Sequence, residues 1–264
     1  MNPLVNEALE FAVSLLPEAG RIALASFRRP LAVEDKRSKG RYDPVTQTDR
    51  AIEAYLRTAI LARYPDHGIV GEELGTQAGS SDWSWIIDPI DGTRAFISGV
   101  PAWGTLMGIR AQGRPLAGLV HQPYLEETFA GTAESGWFER RGERRPLQSR
   151  QDARLADAIL YCTHPSMFQT PTEREAFERV AASVRLSRFG GDCYSYCLLA
   201  LGLIDLVVES DLQAYDIQPL IPIIHGAGGV VSGPRGEDAS DGGFVVAAAN
   251  PTLHAQVLAL LALD

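Results

Sequence analysis

The sequence has few cysteines and no long apolar run. Cys162, Cys193 and Cys197 are the only three cysteines among 264 residues. Their number and spacing fit neither a disulfide framework nor a zinc site, so we expect buried, reduced thiols. No apolar stretch approaches the ~20 residues of a membrane span, and the beginning, MNPLVNEALEF, lacks the basic and apolar regions of a secretory signal. We therefore expect a soluble, cytoplasmic protein with no membrane partner.

The sequence also lacks an excess of basic charge. Its formal net charge is −9, from 33 acidic and 24 basic residues. This balance disfavours nonspecific binding to nucleic-acid phosphates or to an anionic membrane. A local basic run, Arg140, Arg141, Arg144 and Arg145, is interpreted as a solvated hairpin rather than an RNA site. We accordingly predict no nucleic-acid partner.

What the sequence does contain is a change of pattern along its length. Helical spacing of apolar residues predicts helices over residues 3–27 and 47–63, and Pro17 is expected to kink or divide the first of them. Short strands punctuated by Gly or Pro follow up to residue 140, as in an antiparallel meander. The polar segment RRGERRPLQSR ends this part. We therefore predict an N-terminal α+β half over residues 1–147.

Strand and helix patterns alternate in the remainder, which predicts a C-terminal α/β half over residues 148–264. The predicted strands cover residues 158–162, 185–189, 205–209, 229–232 and 244–249. The predicted helices cover residues 171–183, 192–202, 216–226 and 251–262.

Acidic residues follow three of the predicted strands. They are Glu72 and Glu73 after Ile69-Val70, Asp88 and Asp91 after Ile86-Ile87, and Asp216 after the strand Asp205–Glu209. Side chains at strand ends project into a shared crevice, which is the usual ligand location in layered α/β folds. Carboxylate and carbonyl oxygens suit hard cations such as Mg²⁺. The three acidic clusters are therefore candidates for one metal site.

The stretch WIIDPIDGTRAF, residues 85–96, places two acids three residues apart after an apolar run. Two unit charges about 4 Å apart repel by roughly 4 kcal/mol at an effective dielectric near 20, and a bound cation would offset that cost. Pro89 stiffens the predicted turn, so that Asp88, the Ile90 carbonyl and Asp91 could face one point. Gly92-Thr93 then leads into a helix-like segment whose free N–H groups suit a phosphate oxygen. The alternative is that Asp91 merely caps a turn.

This stretch resembles the signature of the lithium-sensitive inositol monophosphatase superfamily. Four further stretches match in the same order: DPVTQTD (43–49), GEE (71–73), GGDCYSYCLLALGLIDLVVES (190–210) and YDIQPLIPIIHGAGGVV (215–231). The match spans nearly the whole chain. It implies a five-layer αβαβα sandwich of the inositol monophosphatase and fructose bisphosphatase type. It further implies Mg²⁺-dependent hydrolysis of a phosphate monoester and assembly into a homodimer.

Carried over residue by residue, the resemblance implies two or three Mg²⁺ ions held by Glu72, Asp88, the Ile90 carbonyl, Asp91 and Asp216. Asp49 and Thr93 match the pair that orients and deprotonates the attacking water, and Glu72 also has a catalytic role. The phosphate would lie against the backbone of Gly92 and Thr93, between Asp91 and Asp216. The loop Lys36–Arg41 matches the family's mobile loop.

Within the superfamily, DGTRAFISGVPAWGTL and GDCYSY look like the histidinol-phosphatase branch because of Arg94 and Asp192. Asp192 and Glu209 would add negative charge around a leaving group that carries an amine and an imidazole, whereas inositol offers only hydroxyls. Asp192 could alternatively cap a helix after Gly190-Gly191. The hypothesis is a histidinol-phosphatase of histidine biosynthesis, and the alternative is an inositol-1-monophosphatase. A catalytically silent, regulatory or RNA-associated member is a remote alternative, because all the expected ligands and water-orienting residues are present.

Overall fold

The computed structural model describes residues 3–35 and 44–262, and the loop Lys36–Arg41 therefore lies outside the described residues. The helices are α1 (Pro3–Ser26), α2 (Gln47–Arg63), α3 (Thr93–Ser98), α4 (Pro171–Ser183), α5 (Asp192–Ala200), α6 (Ala214–Ile217), α7 (Leu220–Gly226) and α8 (Pro251–Leu261). The strands of the first half are β1 (Val33–Asp35), β2 (Pro44–Thr46), β3 (Gly68–Gly71), β4 (Gly75–Gln77), β5 (Trp83–Asp91), β6 (Gly104–Ala111), β7 (Arg114–Gln122), β8 (Glu127–Thr132), β9 (Gly136–Arg140) and β10 (Glu143–Pro146). The strands of the second half are β11 (Ile159–Cys162), β12 (Leu186–Phe189), β13 (Leu206–Leu212), β14 (Val230–Ser232) and β15 (Gly243–Ala248).

Two large sheets contain most of these strands. The first has eight strands in the order β10-β9-β8-β7-β6-β5-β3-β4, and only the β3–β5 pair in it is parallel. The second has five strands in the order β12-β11-β13-β15-β14. Strand β11 is parallel to β12 and β13, whereas β15 is antiparallel to β13 and β14. The predicted meander corresponds to β6–β9.

Alternation of side chains across the strands builds three separate cores. On β6, Met107 packs with α1 and α2, whereas Leu106 faces the opposite side and packs with α5 and α7. On β13, Val207 joins that same middle core, and Val208 faces α4 and α8. Neighbouring residues of a strand point to opposite faces, so each sheet is covered on both sides. The order of layers is α1/α2, eight strands, α5–α7, five strands and α4/α8, which confirms the predicted five-layer sandwich.

Helices α6 and α7 lie very close to the eight-stranded sheet. A Cβ atom placed on Gly118 of β7 would stand 1.8 Å from the Pro219 carbonyl oxygen, which is far inside van der Waals contact. Only a residue without a side chain fits there, so the main chain between α6 and α7 rests directly on the main chain of the sheet. This contact fixes the depth at which the middle layer sits.

Several predicted elements differ from the structure. Pro17 does not divide α1, which runs without a break. The single helix predicted over residues 216–226 is wrong: it is α6 followed by α7, because Pro219 lacks the N–H that a continuous helix needs. The polar segment predicted as a boundary contains β10, an edge strand paired with β9. The division at residues 147 and 148 stays an interpretation, since the middle core draws residues from both sheets. Within the described residues, no helix is long and apolar enough to cross a membrane.

Candidate active site

Strand β5 does not end at Ile87, as its apolar run predicts, but continues through Asp91. Asp88 is opposite Leu106 and Asp91 is opposite Gly104, so three steps along β5 match two steps along β6. One extra residue in a strand is a β-bulge, and it resets which face the following side chains take. Leu106 and Gly104 are two apart and share a face, which is the face toward the middle layer. The bulge therefore turns both aspartates toward the same side, and the predicted DPIDGT turn is corrected to a bulged strand.

Four carboxylates act on one another at this place. Burial raises the pKa of Asp88 well above its usual range, and the charges of Glu72, Asp91 and Asp216 raise it further. Asp88 also shares a hydrogen bond with Glu72. Burial and the same kind of repulsion raise the pKa of Asp216 to about 8. The structure thus brings Asp216 of α6 together with Glu72, which follows β3, and with the two aspartates of β5, although Asp216 is more than a hundred residues from each of them in sequence.

Asp49 lies at the beginning of α2 and has a different surrounding. One of its oxygens, Oδ2, accepts hydrogen bonds from the Thr46 backbone N–H (3.0 Å) and hydroxyl (2.5 Å), which together cap the helix. The other oxygen, Oδ1, is buried and has no partner within the described residues. Burial raises the pKa of Asp49 to about 6, and the nearby charge of Glu73 adds to the rise. A carboxylate oxygen without a partner is expensive to bury, so it marks a position for a donor or a cation.

The residues after the bulge approach the beginning of α5. Thr93 donates from its hydroxyl to the Ile90 carbonyl at 3.1 Å. Gly92 has a left-handed φ of 83°, and a Cβ on it would stand 3.1 Å from the Cβ of Asp192. Burial and the charge of Glu209 raise the pKa of Asp192 to about 7, whereas the charge of Arg94 lowers it. Arg94 and Asp192, which are ninety-eight positions apart in sequence, are therefore electrostatic neighbours.

Glu209 is fully enclosed behind Asp192. Its Oε1 accepts a hydrogen bond from the Thr163 backbone N–H at 2.7 Å, and its Oε2 accepts one from the Tyr196 hydroxyl at 3.0 Å. The Thr163 hydroxyl in turn accepts from the Asp192 backbone N–H at 3.0 Å. Glu209 therefore links β11, β13 and α5 and supports the segment that carries Asp192. Sequence reasoning assigned no role to Thr163 or to Tyr196, although Tyr196 lies within the matching stretch GDCYSY.

Glu53 and Arg57 of α2 were also missed by sequence reasoning. Both are buried, and they form an ion pair beneath the turn that carries Glu72 and Glu73. An acid and an arginine four residues apart on a helix are a common exposed pair. Only the observation that their helix face is otherwise apolar, with Ile52 and Leu56, could have indicated burial.

The residues present suit a hard cation by type. Four mutually repelling carboxylates, and one buried carboxylate oxygen that has no partner in the part of the chain that the structure describes, supply oxygen donors only, which is the ligand set of Mg²⁺ rather than Zn²⁺. Over residues 3–35 and 44–262, however, no three His, Cys, Asp or Glu side chains already form a closed cluster around one point. The residue types therefore suit a bound Mg²⁺ ion, but the side chains are not already arranged in its coordination geometry.

The arginines of the hairpin β9–β10 contact side chains of the hairpin itself and of the turn between β7 and β8. Arg144 lies 3.6 Å from the centre of the Trp137 ring and donates to Glu139 at 2.9 Å. Arg141 pairs with Glu126 at 3.1 Å, and Arg145 lies over the Phe138 ring. This arrangement agrees with a solvated hairpin. The three cysteines are free and buried, as expected.

The five-layer architecture and the acid cluster fit a layered phosphatase, and comparison with known proteins agrees. A sequence profile described as the inositol monophosphatase family matches residues 4–262. The chain belongs to this family and is a phosphatase.

Individual relatives carry two kinds of name. The chain is 36% identical over 256 residues to the "Bifunctional phosphatase IMPL2, chloroplastic" of Arabidopsis thaliana, covering 93% of this chain and 72% of that protein. It is 32% identical to a histidinol-phosphatase of Chlorobaculum parvum over 96% of each chain. Among solved structures, an inositol monophosphatase from Zymomonas mobilis superimposes with a TM-score of 0.85 at 33% identity, covering 98% of this chain and 99% of that one.

Proposed function

We propose that the protein is a Mg²⁺-dependent histidinol-phosphatase, which hydrolyses L-histidinol phosphate to L-histidinol and phosphate. The observation that carries the proposal is the position of Asp192 beside Gly92, where the charge of Arg94 lowers the pKa of the Asp192 carboxyl. In the proposed binding mode, the Asp192 carboxylate would lie close to the leaving group.

Glu72, Asp88, the Ile90 carbonyl, Asp91 and Asp216 would hold the Mg²⁺ ions. When bound, such ions lower the pKa of a water molecule and neutralise charge on the phosphoryl and leaving oxygens. The mutual repulsion that raises the pKa values of Asp88, Asp91 and Asp216 would be relieved by the same positive charge. Repulsion within the acid cluster therefore destabilises the metal-free protein, and the same repulsion favours the binding of a cation.

The remaining residues would position water and phosphate. Among the described residues, one carboxylate oxygen of Asp49 has no protein partner, so it can accept a proton from the attacking water. The Thr93 hydroxyl, which donates to the Ile90 carbonyl, can accept a hydrogen bond from the same water. The backbone N–H groups of Gly92 and Thr93 would hold a phosphate oxygen.

The leaving group would be recognised through charge. Histidinol carries an amine and an imidazole that can each be cationic, and a cation close to Asp192 would favour its charged form. Glu209 contributes charge from behind, and its direct contact with the substrate stays a prediction. The name of the Chlorobaculum relative supports a histidinol ester, whereas that of the Zymomonas structure supports the alternative, an inositol phosphate.

Steady-state assays on both esters test the proposal. With Mg²⁺, kcat/KM for L-histidinol phosphate is expected to exceed that for inositol 1-phosphate by at least about tenfold, which is about 1.4 kcal/mol. A higher value on the inositol ester would reject the substrate. Phosphate release that is equal with and without a divalent ion would reject the Mg²⁺ dependence, whereas release that is absent in both cases would reject the enzyme and favour the silent regulatory alternative.

The variant Asp192→Asn tests whether the Asp192 carboxylate determines the preference for L-histidinol phosphate over inositol 1-phosphate. Asp192 has a left-handed φ of 43°, and Asn tolerates that conformation better than Ala does. The variant should lose activity on L-histidinol phosphate by about tenfold or more while retaining its activity on inositol 1-phosphate. An equal loss on both esters would indicate that Asp192 supports the fold of the site rather than the choice of substrate.

The homodimer and the cytoplasmic location stay predictions. Sedimentation equilibrium of the purified protein tests the first, and fractionation of the source cells tests the second.

A further inference from the structure

Two arginine–carboxylate ion pairs in different parts of the fold each have a buried carboxylate, although Arg150 of the second pair is partly exposed. In the first, Arg57 donates from Nε to Glu53 Oε1 at 2.7 Å, with both residues on α2. In the second, Arg150 pairs with Asp205 Oδ2, beside the beginning of β13. The carboxylates of Glu53 and Asp205 have no exposed area. Each carboxylate also accepts a backbone hydrogen bond, so the two pairs can be compared directly.

The Glu53–Arg57 pair holds three consecutive backbone groups. The N–H of Glu73 donates to Glu53 Oε2 at 2.7 Å, and the N–H of Leu74 donates to Oε1 at 3.1 Å. Arg57 donates from its other side to the Gly75 carbonyl. A Cβ on Gly71 would stand 2.0 Å from Glu53 Oε1, so the carboxylate lies directly against the main chain. The turn between β3 and β4 is thus attached to α2 along its whole length.

That turn carries Glu72, which is attached on its other side to β5. The backbone N–H of Glu72 donates to the Ile87 carbonyl at 3.1 Å, and its carboxylate shares a hydrogen bond with Asp88. Asp49 lies one helical turn before Glu53 on the same helix. The ion pair therefore connects the helix that carries Asp49 to the turn that carries Glu72.

Stability alone is a weak reason for such a pair. Desolvating two charges is costly, and replacing a buried ion pair by apolar groups of similar volume is often neutral or stabilising. By contrast, residues that hold metal ligands in place commonly change metal affinity by about 10- to 100-fold when they are altered. The Glu53–Arg57 pair lies between the helix that carries Asp49 and the turn that carries Glu72. This position suits residues that hold metal ligands in place.

We propose that Glu53 and Arg57 are positioning residues that set the place of the Glu72 turn relative to Asp49, and that they thereby determine the affinity of the site for Mg²⁺. Neither side chain contacts the substrate or the ion in this role. This inference rests on the proposed Mg²⁺ site. The experiment therefore distinguishes a failure of the positioning role from a failure of the Mg²⁺ site itself.

The experiment measures Mg²⁺ binding without substrate, by isothermal titration calorimetry, for the wild type, Glu53→Gln and Asp205→Asn. The Glu53→Gln amide keeps the volume and places a donor where the buried carboxylate accepts, and the Mg²⁺ dissociation constant is expected to rise by about tenfold or more. Asp205→Asn makes the same chemical change in the other pair. It should lower the melting temperature while leaving the dissociation constant within about twofold.

A double variant, Glu53→Met with Arg57→Met, distinguishes an effect on the position of the Glu72 turn from an effect on the stability of the fold. Its melting temperature should lie between those of Glu53→Gln and the wild type, because no unpaired charge remains but the backbone groups of residues 73–75 lose their partners, whereas Mg²⁺ affinity should stay weak. Affinity restored together with stability, unchanged affinity in Glu53→Gln, or an equal loss in Asp205→Asn would each overturn the inference and leave the proposed function intact. No Mg²⁺ binding by the wild type would overturn both.

Discussion

Gly92 and Asp192 are in direct contact although a hundred residues separate them. Space for a Cβ on Gly92 is closed on one side by the Ala102 carbonyl oxygen at 2.9 Å and on the other by the Asp192 Cβ at 3.1 Å. The contact joins the segment after the β5 bulge to the beginning of α5. It therefore joins the part of the site assigned to phosphate to the part assigned to the leaving group.

Gly92→Ala should remove activity through this contact. The substitution forces a left-handed conformation on alanine and pushes against Asp192, with an expected loss of stability of about 1 to 3 kcal/mol. A displacement of about 1 Å at the site can reduce the rate about 100-fold, and we expect kcat/KM to fall by that order.

Gly113→Ala is the matched control, because Gly113 has a similar φ of 76° and open space around it. It should cost about 1 kcal/mol and leave kcat/KM unchanged. Equal activity of the two variants would show that the Gly92 contact is not needed. Thermal unfolding and steady-state kinetics on each protein supply both measurements.

Asp88→Asn should nearly abolish turnover while preserving the fold. Loss of a ligand from the proposed metal site is expected to lower kcat by about a thousandfold or more, which corresponds to about 4 kcal/mol. Since burial and three neighbouring acids oppose the charge of Asp88, the metal-free variant should melt at the wild-type temperature or above it. Circular dichroism checks the fold. Asp82→Asn, an exposed acid just before the same strand, should behave as the wild type, and normal activity of Asp88→Asn would exclude Asp88 from the site.

Asn250→Ala should destabilise the protein without changing the site. Asn250 accepts from the Leu253 N–H at 2.8 Å at the beginning of α8, and its amide donates to the carbonyl oxygens of Gln151 and Ala153 at 3.2 and 3.0 Å. Loss of a helix cap and of buried hydrogen bonds is expected to cost about 2 to 4 kcal/mol in urea unfolding. Thr170→Ala removes only the exposed cap of α4 and should cost about 1 kcal/mol. Similar costs for the two variants would contradict the tie between Asn250 and residues 151–153.

His121 should make stability depend on pH. Burial lowers its pKa to about 4, whereas the unfolded chain keeps the usual value of about 6.5. Between these values the unfolded state binds more protons, so the free energy of unfolding rises with pH across this window and is lost as pH falls through it. The contribution is up to about 3 kcal/mol. His121→Gln should flatten the curve between pH 4 and 6.5 relative to the wild type, and parallel curves would contradict this origin.

The sequence predicts the elements that carry a strong apolar period. Residues 171–183 and 251–262 are nearly the observed α4 and α8, since each has apolar residues at helical spacing and a capping residue before it. The edge strands β1, β4 and β10 were missed because all their described side chains are exposed, so no alternation marks them. The extension of β5 was missed because Asp88 and Asp91 interrupt the apolar run. Charged residues usually indicate an exposed turn, whereas Asp88 is buried and Asp91 is partly buried.

Some residues of the candidate site could be predicted from the sequence, and others could not. Asp88, Asp91 and Asp216 belong to stretches of recognisable sequence, and the structure brings these acids together. Glu53 and Tyr196 depend on contacts between segments that the chain does not place side by side in sequence. Their partners are a backbone N–H of a turn and a carboxylate of another strand, and neither leaves a spacing that could be recognised beforehand.

The close approach of Gly118 to Pro219 has a consequence for protein engineering. Asp216 lies three residues before Pro219, and here main chain rests on main chain with no side chain between them. The depth of Asp216 is therefore set by two backbones, which have no alternative rotamers, and rigid support of this kind holds functional groups within about 0.5 Å. Redesign of the surrounding apolar side chains for thermostability can proceed without moving this acid, provided that position 118 remains glycine.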